Sequence, residues 1–387
     1  MPHAAHPPAV DFLFVGRAIE PFERDLALLR KAGFTNLEFA QGALAARRLL
    51  KARPVHFVLA ELDLPHVTGI DLLKLIRRTP AFMAVPFLLI SDQRQKDLVR
   101  YAIDEEADGF LVSPYSGEEL LCNILRVERG RAHWSALHHK LLQAKKALLE
   151  HRLAEAIAQA RAILTASPDH AGALLILAEG LFLQGELDKA RLAVAPVLRQ
   201  DPCHGKALHL LSKICRQAAG SGEAFTHLSS AIDKHPLNPD LRIDLGKLYL
   251  GMDLDAKAKE IFDAILADSP SDLSLVKIGK AYLKKGHLDV AGQFLNAAEQ
   301  PLPETVFVFE KYADALAEAG RHEESAGQYE KCLRLRPRQV GSLQKLVDAL
   351  LNLGKKDEAK ERCALFLQDQ PDDPEARALA ASLGVKT

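Results

Sequence analysis

The sequence predicts two folds in tandem: a doubly wound α/β domain with a five-stranded parallel sheet over residues 11–127, then an all-α superhelix of stacked helix pairs over 137–373. Two observations predict the first. Five short, near-continuously apolar runs occur, DFLFV (11–15), LEFA (37–40), HFVLA (56–60), PFLLI (86–90) and GFLV (109–112). Stretches of helical period, such as FERDLALLRKAGF and IDLLKLIRR, separate them. Strands apolar on both faces and joined through helices form parallel sheets covered on both sides. A third observation predicts the second fold. Past residue 136 the strand signal all but disappears, and prolines recur at 168, 202, 236, 270, 303, 337 and 371, spaced by 34, 34, 34, 33, 34 and 34 residues. A period of that length marks the repetition of one supersecondary unit.

Taken in order, residues 1–10 (MPHAAHPPAV) have neither the basic start nor the apolar core of a signal peptide and are expected as a short disordered tail. A doubly wound sheet carries its functional groups at the carboxyl ends of its strands. Those places hold Gly16 and Arg17, Glu61, Ser91, and Ser113 followed by Pro114. Residues 128–136 keep helical character and include the only tryptophan, Trp134. With no Gly/Ser or Pro linker, the domains are expected in a fairly rigid mutual orientation with Trp134 packed at the junction. In the repeats, Gly185, Gly286, Gly320 and Gly354 each fall 17 residues before a proline, where two helices would turn. Small residues fall 12 before each proline: Ala156, Ala190, Ala224, Ala258, Ala291, Ser325 and Ala359. The end, 374–387, can form a capping helix over the last repeat.

In order and spacing, residues 11–127 resemble the receiver domain of two-component response regulators. The intervals between Gly16, Glu61, Ser91 and Ser113 are 45, 30 and 22 residues, and LDLPHVTG places a Pro and then a Gly after the acidic position as that family does. The resemblance implies an acidic pair at 16–17 to hold Mg²⁺, a phosphate-accepting Asp at 61, a hydroxyl at 91 and a Lys at 113. Only Ser91 keeps its family role. Gly16 offers no ligand, Arg17 is a cation where a metal needs anions, Ser113 lacks the charge of Lys, and Glu61 is one methylene longer than Asp. Phosphoryl transfer depends on metal and positioning, so phosphorylation at Glu61 is not expected. A bidentate Arg17–Glu61 pair replacing metal, phosphate and Lys is expected to freeze the domain in one state. A mimic of the phosphorylated form is the competing reading, weakened because Glu carries about one charge and a phosphate nearly two. Asp63 and Asp92, near the same rim, read as solvated turn acids.

The second half resembles the tetratricopeptide repeat over about seven units. In that family the second, fifth, ninth, twelfth and thirteenth residues of each repeat face a concave groove. Here the ninth places are Lys145, Glu179, Lys213, Lys247, Lys280, Asp314 and Asp348. His209 and Arg216 in the third repeat and Lys284 in the fifth add positive charge. Leu175, Phe182, Ile243, Leu250, Val276 and Leu283 supply apolar places. The resemblance thus implies a basic groove suited to an acidic, partly apolar protein segment. The Asn that some relatives place at the ninth position to clamp a carboxylate is missing throughout, which disfavours a chaperone adaptor.

Other chemistry is excluded by composition and motif. Lys and Arg number 50 against 51 Asp and Glu, so no global field draws the chain to nucleic acid. No apolar run reaches bilayer length. Cys122, Cys203, Cys215, Cys332 and Cys363 are scattered without a CxxC, which points to a reducing cytoplasm. No nucleotide-binding or hydrolase motif occurs; AGSGEA (219–224) lacks the Lys of a phosphate loop and follows a helix. His138 and His139 diverge by about 100° on a helix and share no metal. The sequence therefore reads as a bacterial signalling adaptor without catalytic activity or cofactor. It would bind protein through the repeats, with a signalling protein at the receiver as a further partner. The alternatives are a phosphorylatable regulator with the repeats as output, and an assembly factor for a pilus or secretion machine.

Overall fold

A computed structural model of the protein describes residues 10–92, 96–132, 136–202, 204–218, 221–267 and 271–385. Most of the expected tail, Trp134, Cys203, Pro270 and the first residues of the AGSGEA stretch lie outside the described residues. The first part alternates β1 (Val10–Gly16), α1 (Glu23–Lys31), β2 (Leu37–Gln41), α2 (Gly42–Ala52), β3 (Val55–Glu61), α3 (Gly69–Arg77), β4 (Phe87–Ser91), α4 (Lys96–Asp104), β5 (Gly109–Val112) and α5 (Gly117–Ala132). The strands form one parallel sheet in the order β2-β1-β3-β4-β5. The chain winds one way from β1 to β2 and the other way from β3 to β5, so the switch falls beside β1 and β3. Phe14, Leu59 and Leu88 are fully buried at the centre of the sheet, and Phe22, Leu29 and Leu120 close over one face. A capping box on Thr68 and Asp71 starts α3 directly after the loop that follows β3.

The remainder is helical, in pairs: α6 (Ala136–Leu149) with α7 (Leu153–Ala166), α8 (Ala171–Leu183) with α9 (Leu187–Gln200), α10 (Gly205–Gln217) with α11 (Ser221–Lys234), and α12 (Pro239–Gly251) followed by α13 (Asp255–Ala267). Then come α14 (Asp272–Lys284) with α15 (Leu288–Ala297), α16 (Val306–Glu318) with α17 (His322–Leu335), α18 (Val340–Asn352) with α19 (Lys356–Asp369), and α20 (Pro374–Leu383). The seven small residues of the 34-residue period are all completely buried. They sit where a larger side chain would hold two helices apart. Gly185, Gly286, Gly320 and Gly354 end the first helix of their pairs with φ of 82°, 80°, 75° and 74°. That left-handed conformation lets the chain leave one helix and enter the next, and glycine adopts it without steric cost.

The chain is divided into two compact units, one reaching to Ile261 and the other running from Phe262. The first unit thus holds both the sheet domain and the first helix pairs. The sheet domain coheres with the helices up to α12.

Candidate functional site

At the carboxyl edge of the sheet lies a cavity of about 540 Å³ lined by Arg17, Arg24, Glu61, Asp63, Ser91 and Ser113 among others. It gathers four of the five positions that sequence singles out. The fifth, Gly16, explains how Glu61 is accommodated. A Cβ on Gly16 would fall 2.9 Å from Glu61 Oε2 and 2.5 Å from Phe22. The extra methylene of Glu61 thus places its carboxylate in the space that a side chain at 16 would need. There Oε2 accepts a hydrogen bond of 2.9 Å from the backbone N–H of Arg17.

The expected side-chain pair between Arg17 and Glu61 does not form. Arg17 Nε donates to the carbonyl of Asp63 at 2.9 Å, and its guanidinium stands 4.0 Å from the Asp63 carboxylate. The reason is positional: Glu61 already reaches back to the main chain at 17, so the Arg17 side chain extends past it to the next acid. Ser91 is buried, and its carbonyl accepts from Ser113 N–H at 2.8 Å, which ties β4 to the end of β5. Ser113 precedes Pro114 through a cis peptide bond.

Sequence reasoning missed a second group on this rim. Asp25 on α1 is fully buried, and Tyr115 donates its hydroxyl to Asp25 Oδ2 at 2.5 Å. Burial, then the bond to Asp25, pushes the Tyr115 hydroxyl well above its ordinary range and keeps it a neutral donor. Arg24 donates to the Tyr115 carbonyl at 2.8 Å and lies over its ring. Nothing in FERDLALL marks one acid of an exposed-looking first turn as buried.

The larger surprise is where the expected groove residues lie. The acidic turn Asp104–Glu105–Glu106, between α4 and β5, is set against the helix pairs. Glu106 binds Lys206 of α10 at 2.7 Å and also Lys145 of α6. Burial opposes the Glu106 charge, but Lys206 and Lys145 outweigh it and hold the carboxyl down at about 2. His235 Nδ1, just beyond α11, is 3.1 Å from Asp104 Oδ2. The approach is close enough that a Cβ on Gly205 would fall 2.8 Å from the same oxygen. Glu106 has a φ of 68°, and Arg77 pins the turn by donating to the Glu106 carbonyl at 3.0 Å and to Asp108 Oδ2 at 2.7 Å.

A reversed pair completes this seam. Lys74 of α3, 3% exposed, donates to Asp240 of α12 at 2.9 Å and to the Tyr101 hydroxyl, with Glu105 at 3.8 Å. Burial works against the Lys74 charge, but Asp240, Tyr101, Glu105 and Asp71 together hold its pKa well above the ordinary value.

The remaining groove positions follow from this. His209 and Lys247 converge on buried Asp244 at 2.6 and 2.9 Å, and so are spent within the helix pairs. Burial opposes the Asp244 charge, yet the His209 bond and the Lys247 charge depress its carboxyl strongly. Burial lowers the pKa of the Lys213 ammonium, Asp244 and Glu179 act against this, and Arg78 of the sheet domain adds to it. Lys280 lies 4.5 Å over the Phe307 ring, while Arg216 and Lys284 are exposed. Leu250, Ile243 and Val276 are at most 2% exposed, and Leu175 and Phe182 are half-buried against the core. The expectation that Leu250 and its apolar neighbours form open pockets is thereby corrected: helix packing consumes them. Leu283 is half-buried.

Among the described residues no group of three or more His, Cys, Asp or Glu is placed to hold a metal, and no helix is long and apolar enough to cross a membrane. A parallel sheet in this order with its acid, hydroxyl and Pro turn around one cavity, followed by helix pairs of 34-residue period, defines a receiver-type module joined to a helical repeat array. The response regulator receiver domain model matches residues 25–125, and the tetratricopeptide repeat model matches 147–214, 222–281 and 316–383, half of the chain. The chain is 32% identical over 93 residues to chemotaxis protein CheY-3 of Vibrio cholerae, covering 24% of this chain and 72% of that one. It is 29% identical over 93 residues to chemotaxis protein CheY of Pseudomonas aeruginosa, covering 24% and 75%. A tetratricopeptide repeat protein of known structure from Parabacteroides merdae aligns over 64% of this chain and 98% of its own, at 15% identity and a TM-score of 0.39. The chain belongs to the tetratricopeptide repeat family and carries, ahead of its repeats, a domain of the response regulator receiver family.

Proposed function

We propose that the chain is a bacterial, cytoplasmic signalling adaptor that binds partner proteins through its repeats and whose receiver domain is not a phosphate acceptor. The observation that carries this is the seat of Glu61. Its carboxylate accepts the Arg17 N–H and stands 2.9 Å from where a side chain at Gly16 would begin. The acidic pair that holds Mg²⁺ in this family therefore has neither the residues nor the room here, and Ser113 supplies no cation to grip a phosphoryl oxygen. Glu61 instead bonds the β3 end to the β1 end, which supports a receiver kept as a docking and orienting module. The repeats supply the recognition surface that stacked helix pairs provide.

The test is incubation of the full chain with acetyl phosphate and Mg²⁺, followed by intact-mass measurement. No phosphoryl adduct is expected. A stoichiometric adduct on Glu61, Asp63 or Asp92 would replace this reading with that of a working response regulator.

A further inference from the structure

The basic wall of the first repeats is already occupied, and the occupant belongs to the same chain. Glu106 sits between Lys145 and Lys206, and Asp104 meets His235 above Gly205. This is the chemistry expected of an outside ligand for such a wall: consecutive carboxylates on a tight turn at the end of an amphipathic helix. The fit is good at Glu106 and poor elsewhere. Among the described residues the half-buried Lys213 ammonium makes no hydrogen bond or ion pair; burial lowers its pKa, and the charges of Asp244 and Glu179 only partly offset this. Asp104 Oδ2 is buried and within ion-pair distance of His235, yet it makes no aligned hydrogen bond. A partly desolvated cation without an ion-pair partner is a cost that a better-shaped ligand removes.

We propose that the wall formed by α6, α10 and His235 is a binding site for an acidic turn on a partner protein, with the receiver's own Asp104–Glu106 turn held there as its competitor. This rests on the reading of the repeats as a partner-binding module and gives that module a regulation. A partner whose carboxylate reaches Lys213 gains an ion pair that the receiver turn does not make. Displacing the turn frees Lys145 and Lys206 for the same partner. The receiver thus sets a threshold that selects for acidic turns of matching shape, without any covalent step.

The experiment uses the full chain and a fluorescein-labelled peptide of residues 99–109, VRYAIDEEADG, followed by fluorescence anisotropy. Glu106→Lys removes the internal contact with Lys145 and Lys206, and is expected to bind the peptide about tenfold more tightly than the unsubstituted chain. Adding Lys145→Ala and Lys206→Ala should abolish the gain, and raising the salt concentration should erode it. Asp104→Asn, which touches only the other end of the turn, serves as a second opening variant; circular dichroism checks that each variant is folded. Absent binding, equal binding by all proteins, or a gain that survives the lysine substitutions overturns the proposal and leaves the seam purely structural. Those results leave the adaptor reading standing, since that reading fails on the phosphoryl-adduct measurement instead.

Discussion

At the scale of single residues, Gly16 and Glu61 behave as one feature. A Cβ at 16 would lie 2.5 Å from Phe22, itself 1% exposed, and 2.9 Å from Glu61 Oε2. Phe22 packs against Phe14 at a centroid distance of 5.2 Å and cannot retreat without disturbing the sheet core. Gly16→Ala should therefore destabilise the chain by about 1–3 kcal/mol through overpacking. Gly16→Asp, which restores one acid of the family's pair, should cost more, because a second carboxylate then faces Glu61. Adding Glu61→Asp withdraws that carboxylate by one methylene and should recover part of the loss. Thermal unfolding of the three variants decides the matter: a Gly16→Ala protein as stable as the parent would show that the Glu61 seat is not fixed by the missing side chain.

At the scale of elements, the proline period and its glycines made the helix pairs legible, because a left-handed turn residue and a small crossing residue are both forced by geometry. The same turn recurs where the sequence gives no glycine. His151 and Asp253 stand 17 residues before Pro168 and Pro270, and both have a φ of 57°. Their identity hides the period because neither is glycine, although His and Asp enter this conformation more readily than most side chains. His151→Gly should stabilise the turn between α6 and α7 by about 0.5–1 kcal/mol, the penalty for a Cβ in that conformation less the entropy glycine adds to the unfolded chain. Gly320→Ala, at the same place between α16 and α17, should destabilise by about 1 kcal/mol, although nothing lies within 4 Å of the new Cβ. Urea midpoints moving in opposite directions for the two substitutions would establish that backbone conformation, and not packing, decides this position. The strands were equally legible, because buried parallel strands leave unbroken apolar runs. The site was legible only in part: Glu61, Ser91 and Ser113 follow from strand ends, whereas the direction taken by the Arg17 side chain depends on where Glu61 goes first.

At the scale of the whole molecule, the contacts between the receiver and the first repeats were not legible in the sequence, for a specific reason. Charged residues on helices and turns are ordinarily solvated, so nothing in the sequence marks Lys74 as the partner of Asp240, 166 positions on, or Glu106 as the partner of Lys145 and Lys206, 39 and 100 positions on. The result is a seam that joins the receiver to the first repeats within one compact unit ending at Ile261. Its anchor is Lys74, whose ammonium is buried with Asp240, Glu105 and Tyr101. Lys74→Met keeps the volume of the side chain but leaves Asp240 and Glu105, 12% and 16% exposed, without that cation. Removing one member of a buried pair costs about 3–5 kcal/mol, and the other partners of Asp240 place the expected loss near the lower end of that range. The loss should fall on the seam and not on either side of it, since Lys74 lies outside the core strands and Asp240 lies in the first turn of α12. In native-state hydrogen exchange of the parent, amides of β3 and β4 and amides of α10 should open in one cooperative step, as parts of a single unit. In the Lys74→Met protein the receiver sheet and the α10 amides should open at separate denaturant concentrations. If they still open together, the seam is held by something other than its buried ion pair, and the receiver cannot be released from the repeats by charge alone.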